Sequence, residues 1–194
     1  MDNNQLQQIK ELKQTELHHS KEWLNYWIKY SSFDNWHFWV VLALLIIPLI
    51  LLFFFMDKKK SLLLGFYGYN VHIIFTYIDS YGANNTFWFY PYKVFPILPA
   101  NLTLDVSFVP ISYMLVYQWS LNHHKNYYLC IFGLSVGIAF VFKPIMEALR
   151  LFQFDRGANF FHLFLGYLLV GVAAKQVTNL FLFLQNKSKK DEFI

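Results

Sequence analysis

From Phe38 to Met56 the chain reads FWVVLALLIIPLILLFFFM, nineteen residues without a charge. About 20 apolar residues of helix cross the hydrocarbon core of a bilayer, so His37 to Met56 is read as a membrane-spanning helix. Its stop is abrupt, at Asp57-Lys58-Lys59-Lys60. Pro48 inside the run is tolerated in a membrane, where neighbouring helices re-satisfy the freed carbonyl. Composition agrees: 56% of the 194 residues are hydrophobic and 14% charged, against roughly a quarter charged in soluble domains. A chain with so few polar groups cannot cover a water-facing surface with them. It needs lipid as its solvent.

Four further apolar stretches follow, over residues 61–78, 104–121, 127–149 and 160–184. The expectation is therefore an all-α, polytopic transmembrane helix bundle of about five spans. The stretch 104–121 is short and carries Asp105, Pro110 and Gln118; were it re-entrant, four spans would remain. Gly133 and Gly137 in the fourth stretch have a small-xxx-small spacing that permits close helix approach. Cys130 lies in the same stretch and reads as packing filler.

Residues 1–36 differ in kind. Leu6, Ile9, Leu12, Leu17, Leu24 and Trp27 recur at broadly helical spacing among Gln, Glu and Lys, and Trp23, Tyr26 and Tyr30 add rings. This predicts an amphipathic helix lying at headgroup depth, with a soluble helix docked on a partner as the alternative. The polar, mixed-charge leader predicts no cleavable signal peptide. The bundle then covers 37–185, including a long loop at 79–106, and 186–194 form a basic tail. Lys58–Lys60, Lys125 and Lys187, Lys189 and Lys190 share one side. By the positive-inside rule this places the N-terminus outside and the C-terminus inside a cell membrane.

The loop has the most unusual composition. Pro91, Pro96 and Pro99 forbid a regular helix, yet Trp88, Tyr90, Tyr92 and Phe95 make it apolar. It is expected to fold back as a cap, its rings at headgroup depth. The run Asp79 through WFYPYKVFPILP, then Leu104-Asp105-Val-Ser-Phe-Val-Pro110 and Ser112-Tyr-Met-Leu-Val-Tyr-Gln118, resembles the signature of an uncharacterised family of small multipass membrane proteins of Bacillus, Clostridium and related spore-forming bacteria. The likeness covers the chain from about Trp23 onward. It departs at Lys143-Pro144, where the family has Glu-Pro, and at Asn159-Phe160-Phe161-His162, where the family has a Trp- and Tyr-rich lead into the last span. The resemblance implies topology and a bacterial membrane, and brings no activity.

Ionisable groups at membrane depth are costly and are candidates for function. His72, Thr76 and Asp79 fall on one helix face, so an Asp–His pair is one expectation, and an Asp79 facing water at the helix end is the other. Lys143 and Glu147 stand four apart and can neutralise each other. Asp105 can cap the helix that follows it, or converge with Asp79 and Lys93 beneath the aromatic loop. Such a charged pocket could take a lipid headgroup or polyprenyl phosphate through Lys93, or the paired aspartates could instead hold a divalent ion. Trp88, Tyr90, Tyr92, Tyr113, Tyr117 and Gln118 complete the ligand-binding candidates, and His162 the intramembrane polar set. His18/His19 and His123/His124 are adjacent residues that do not share a helix face, so neither a metal nor another cofactor is expected from them. With a net charge of +4 placed at the edges of apolar runs, nucleic acid is excluded as a partner. Phosphate loops, nucleophile elbows and zincin motifs do not occur.

Three functions fit these residues: a non-catalytic binder of a lipidic or amphipathic ligand or of a partner membrane protein (including a second copy), a membrane-embedded enzyme on an isoprenoid or lipid using Asp79 and Asp105, and a small transporter or channel subunit using His72, Asp79, Lys143 and Glu147.

Overall fold

The computed structural model describes residues 2–96 and 101–191, with side chains as far as 187. Pro99 of the loop and the side chains of Lys189 and Lys190 in the tail lie outside it. The fold is an all-α bundle. Helix α1 spans Asn3–Tyr30, α2 Trp36–Phe55, α3 Ser61–Asn84, α4 Val109–Asn122, α5 Tyr127–Gly137, α6 Lys143–Ala148 and α7 Phe160–Asp191. Two-residue strands β1, Trp88–Phe89, and β2, Gln153–Phe154, pair antiparallel and join the loop to the α6–α7 connection.

Among the described residues, four helical stretches are long and apolar enough to cross a membrane: Trp36–Phe55, Lys58–Asn84, Tyr127–Ala148 and Phe160–Lys187. Helix α4 is less apolar. The turn ahead of it lies beside α3, where His72 meets the Asp105 carbonyl, and its end reaches Lys60 through Asn122. It packs among α2, α3 and α5, where Tyr113 and Tyr117 are fully buried. Polar residues are tolerable in α4 because other helices, not lipid, surround them.

Helix α2 shows the opposite pattern, with only Phe38 and Val41 buried and Phe53, Phe54 and Phe55 facing outward. Asn35 caps its start by accepting from the His37 N–H, and Gln118 of α4 closes its end, donating to the Phe55 carbonyl and accepting from the Asp57 N–H. Helix α3 buries a stripe of Leu64, Tyr67, Gly68, Val71, Phe75, Asp79 and Gly82, the 3-and-4 spacing of a single helix face. Asp79 is thus on the core side.

Two π-helical turns, Leu104–Phe108 and Ile138–Phe142, each end shortly before a proline, Pro110 and Pro144. A proline lacks the N–H for the i−4 carbonyl and crowds it; a widened turn relieves both conflicts. One of these turns carries Asp105 and the other delivers Lys143. Close helix approach is not at Gly133 or Gly137, where a Cβ would meet open space. It is at Gly68 against Met114 and Gly171 against Ile131, because those glycines face the core and Gly133 and Gly137 face outward or lie at its edge.

None of the α1 residues is buried. Leu12, Leu17, Leu24 and Ile28 are exposed along it, and only its last turns meet the cap.

Candidate functional site

Residues 85–96 and 101–103 cap the end of the bundle where α3 finishes and α4 begins. Asp79 holds this cap. Its Oδ1 accepts from Trp88 Nε1 at 2.9 Å and from the Tyr90 hydroxyl at 2.7 Å, and its Oδ2 from the Asn101 backbone N–H at 3.2 Å. The carboxylate is 2% exposed, so it neither faces water nor pairs with His72. That imidazole stands about two turns earlier in α3; its Nδ1 lies 2.7 Å from the Asp105 carbonyl and 3.3 Å from Thr76 Oγ1.

Lys143 reaches the same centre from the other π-turn. Its Nζ donates to the Tyr90 hydroxyl at 3.1 Å and sits 3.9 Å from the Phe152 ring centroid. The expected pair with Glu147 is not made: Lys143 points into the core at 1% exposure, while Glu147, four residues on, is half-buried. Tyr90 therefore links acid to base, donating to one and accepting from the other. Burial and the nearby Asp79 carboxylate hold the Tyr90 phenol well above its usual range, which keeps it a donor.

Asp105 is buried, and its carboxylate interacts with that of Asp79 and with Lys143 and Lys93. It does not cap α4. Asn101 caps this helical stretch instead, its Oδ1 accepting from the Thr103 N–H at 3.1 Å, because the helical turns begin ahead of Asp105 and place that side chain on their inner face. Asn101 Nδ2, Thr103 Oγ1 and both Asp105 carboxylate oxygens are buried without a hydrogen-bond partner among the described residues.

Lys93 approaches from the cap. Its backbone is clasped by Ser31, which accepts from the Lys93 N–H and donates to its carbonyl, while Trp27 Nε1 donates to the same carbonyl at 2.8 Å. Its ammonium lies 5.0 Å from the Trp23 ring centroid. Burial pushes the amine down to about 8, against the pull of Asp79 and Asp105.

The structure thus brings together Asp79, Trp88, Tyr90, Lys93, Asp105 and Lys143. The other candidates lie elsewhere. Tyr92 stacks on His37 at 3.9 Å. Tyr113 donates to the Tyr167 carbonyl, Tyr117 packs on Tyr67 and accepts from Lys175, and Gln118 closes α2. His162 is exposed, but lines a crevice of about 40 Å³ between α3 and α7 that leads to Asp79. Sequence reasoning missed Asn101 and Phe152. The cap pattern Asn-x-Thr ahead of a helix was a signal for the first; nothing local marked the second.

Outside this centre, the last turns of α1 and the cap enclose a groove of about 520 Å³ lined by His19, Glu22, Trp23, Tyr26, Phe89 and Pro91. Trp23, Tyr26 and Phe89 are exposed there. Comparison with protein-family models, with curated proteins and with solved structures finds no match.

Proposed function

We propose that the protein is a non-catalytic bacterial membrane protein that holds a lipidic or amphipathic ligand at its capped end. The observation that carries this reading is the aromatic groove between α1 and the cap. Its volume falls in the range of small-molecule sites, and it combines an apolar lining with a few polar groups at one rim. Trp23, Tyr26 and Phe89 offer rings to a chain or ring system, and His19 and Glu22 offer polar contacts to a head. The acid–lysine centre below holds the cap, and so the groove's Phe89 wall, in place through Trp88 and Tyr90. Positive charge gathered at the opposite end, at Lys58–Lys60, Lys125 and Lys187, supports an orientation with the groove outside the cell.

A short-chain phospholipid bearing a dansyl group tests this. Energy transfer from tryptophan to dansyl should saturate in purified protein in uncharged detergent. The double variant Trp23→Ala with Phe89→Ala should weaken binding about tenfold or more. Unsaturable transfer, equal in both proteins, removes the reading.

A second reading, a membrane-embedded enzyme on a lipid or isoprenoid, draws on one observation. Asp105 lies within electrostatic reach of Asp79, Lys143 and Lys93. Paired carboxylates can hold one proton between them, as acid–base chemistry needs. Incubation with a bacterial lipid extract, comparing the protein with Asp105→Asn by mass spectrometry, should show a lipid whose mass changes only with the parent; identical profiles end this reading.

A further inference from the structure

At the end of the bundle away from the cap, α3 and α7 leave between them a groove of about 500 Å³. Its walls are apolar: Leu62, Leu63 and Phe66 from α3, and Phe181 and Leu182 from α7. The Phe66 and Phe181 rings are 5.0 Å apart. Lys59, Lys60 and Gln185 also line it. Asp57 is the acid nearest in sequence to this lysine turn, and it is taken up by Lys60 in an ion pair of 3.4 Å. Lys60 also donates to Asn122. Lys59 is exposed, and its ammonium has no hydrogen-bond or ion-pair partner among the described residues.

We propose that this groove binds one anionic glycerophospholipid, its phosphate at Lys59 and Lys60 and an acyl chain along Phe66 and Phe181. Charge complementarity selects this occupant. The lysine turn stands at the edge of an apolar helix, where basic residues meet anionic headgroups, and the groove beside it is lined by carbon. Other occupants fit less well. Beyond Gln185 the chain continues as helix α7 to Asp191 and so runs on past the groove, and its Lys187, Lys189 and Lys190 outnumber Asp191 and Glu192. A second copy meeting this face by two-fold symmetry would set lysine turn against lysine turn. A free phosphate would leave the apolar walls unused.

The test uses the full-length protein in an uncharged detergent, with phosphatidylglycerol, phosphatidylcholine of the same chains, and inorganic phosphate as probes. Native mass spectrometry of the Trp23→Ala with Phe89→Ala protein, in which the groove at the capped end is impaired, should show one phosphatidylglycerol retained per chain, and thermal unfolding should shift upward with it. Phosphatidylcholine should do neither. Lys59→Gln with Lys60→Gln should weaken retention on the order of tenfold. Leu182→Trp, which fills the groove without touching charge, should weaken it independently and guards against a lysine variant that fails to fold. Equal retention of the two lipids, retention unaltered by both groove variants, or the same thermal shift from inorganic phosphate would overturn the proposal.

Discussion

Lys143 and Lys59 occupy opposite ends of one bundle and solve opposite problems. Lys143 is 1% exposed and hydrogen-bonded to a tyrosine that is itself bonded to an aspartate. Lys59 stands on an exposed turn beside an apolar groove. At the capped end the chain has taken charges out of solvent and surrounded them with aromatic rings, Phe152 and Tyr90 over Lys143 and Trp23 over Lys93. At the lysine end it has left charge on the surface. Burying charge is expensive unless each group finds partners, so the capped end is where a substitution has most to destroy. At the lysine end Lys59 stands on the surface, so its substitution has little of the fold to lose.

The largest effect that would sharpen this contrast is expected from Asp79→Ala. It strands three buried donors at once, from Trp88, Tyr90 and Asn101, each worth roughly 1–3 kcal/mol when unmet. Unfolding in detergent should show a loss of about 3–5 kcal/mol. A loss under 1 kcal/mol would mean that the cap does not depend on this carboxylate.

Gly82→Ala comes next. A Cβ there would lie 2.0 Å from the Trp88 ring, so the indole must leave Asp79. The expected cost is about 1–3 kcal/mol, with tryptophan emission shifted to the red as Trp88 meets a wetter environment. Unshifted emission would show that the cap closes without that fit.

The third effect is a pH dependence. Burial puts the Lys93 amine at about 8 against 10.5 unperturbed, so the unfolded chain holds that proton more tightly than the folded one. Stability should therefore rise with pH between about 8 and 10.5 and be indifferent to this group below 8. Subtracting the profile of Lys93→Met from that of the parent isolates the Lys93 contribution. A difference that is flat across the window would place the amine in solvent and break the contrast with the lysine end.

The π-turns show why the site was only partly legible. Pro110 and Pro144 were visible in the chain, and a proline in an apolar helix announces a local distortion. The distortion's form, a widened turn presenting Asp105 and Lys143 inward, depended on which helices stood opposite. Lys143 and Glu147 read as a local pair because i, i+4 neighbours meet on an isolated helix. In the bundle Lys143 lies on the inner face and the loop supplies a better partner in Tyr90, 53 residues away. Asp79 had a clearer sign: it continues the stripe of Leu64, Tyr67, Val71 and Phe75 that α3 buries. Gly133 and Gly137 misled for a related reason, since spacing alone does not say which face a neighbouring helix occupies.

Local chemistry was enough to establish the class of molecule. Runs of uncharged apolar residues, stopped by lysines and broken by a proline-rich aromatic loop, admit a helical membrane bundle and little else, because backbone groups without water must bond within their own helix. Which polar side chains meet is a different matter. Asp79, Lys93, Asp105 and Lys143 come from three helical stretches and a loop, and hydropathy is blind to distances across the bundle. Only packing brought them together, since a buried charge is tolerated where the folded chain delivers its partners, and those partners are set by geometry rather than by neighbours in the chain.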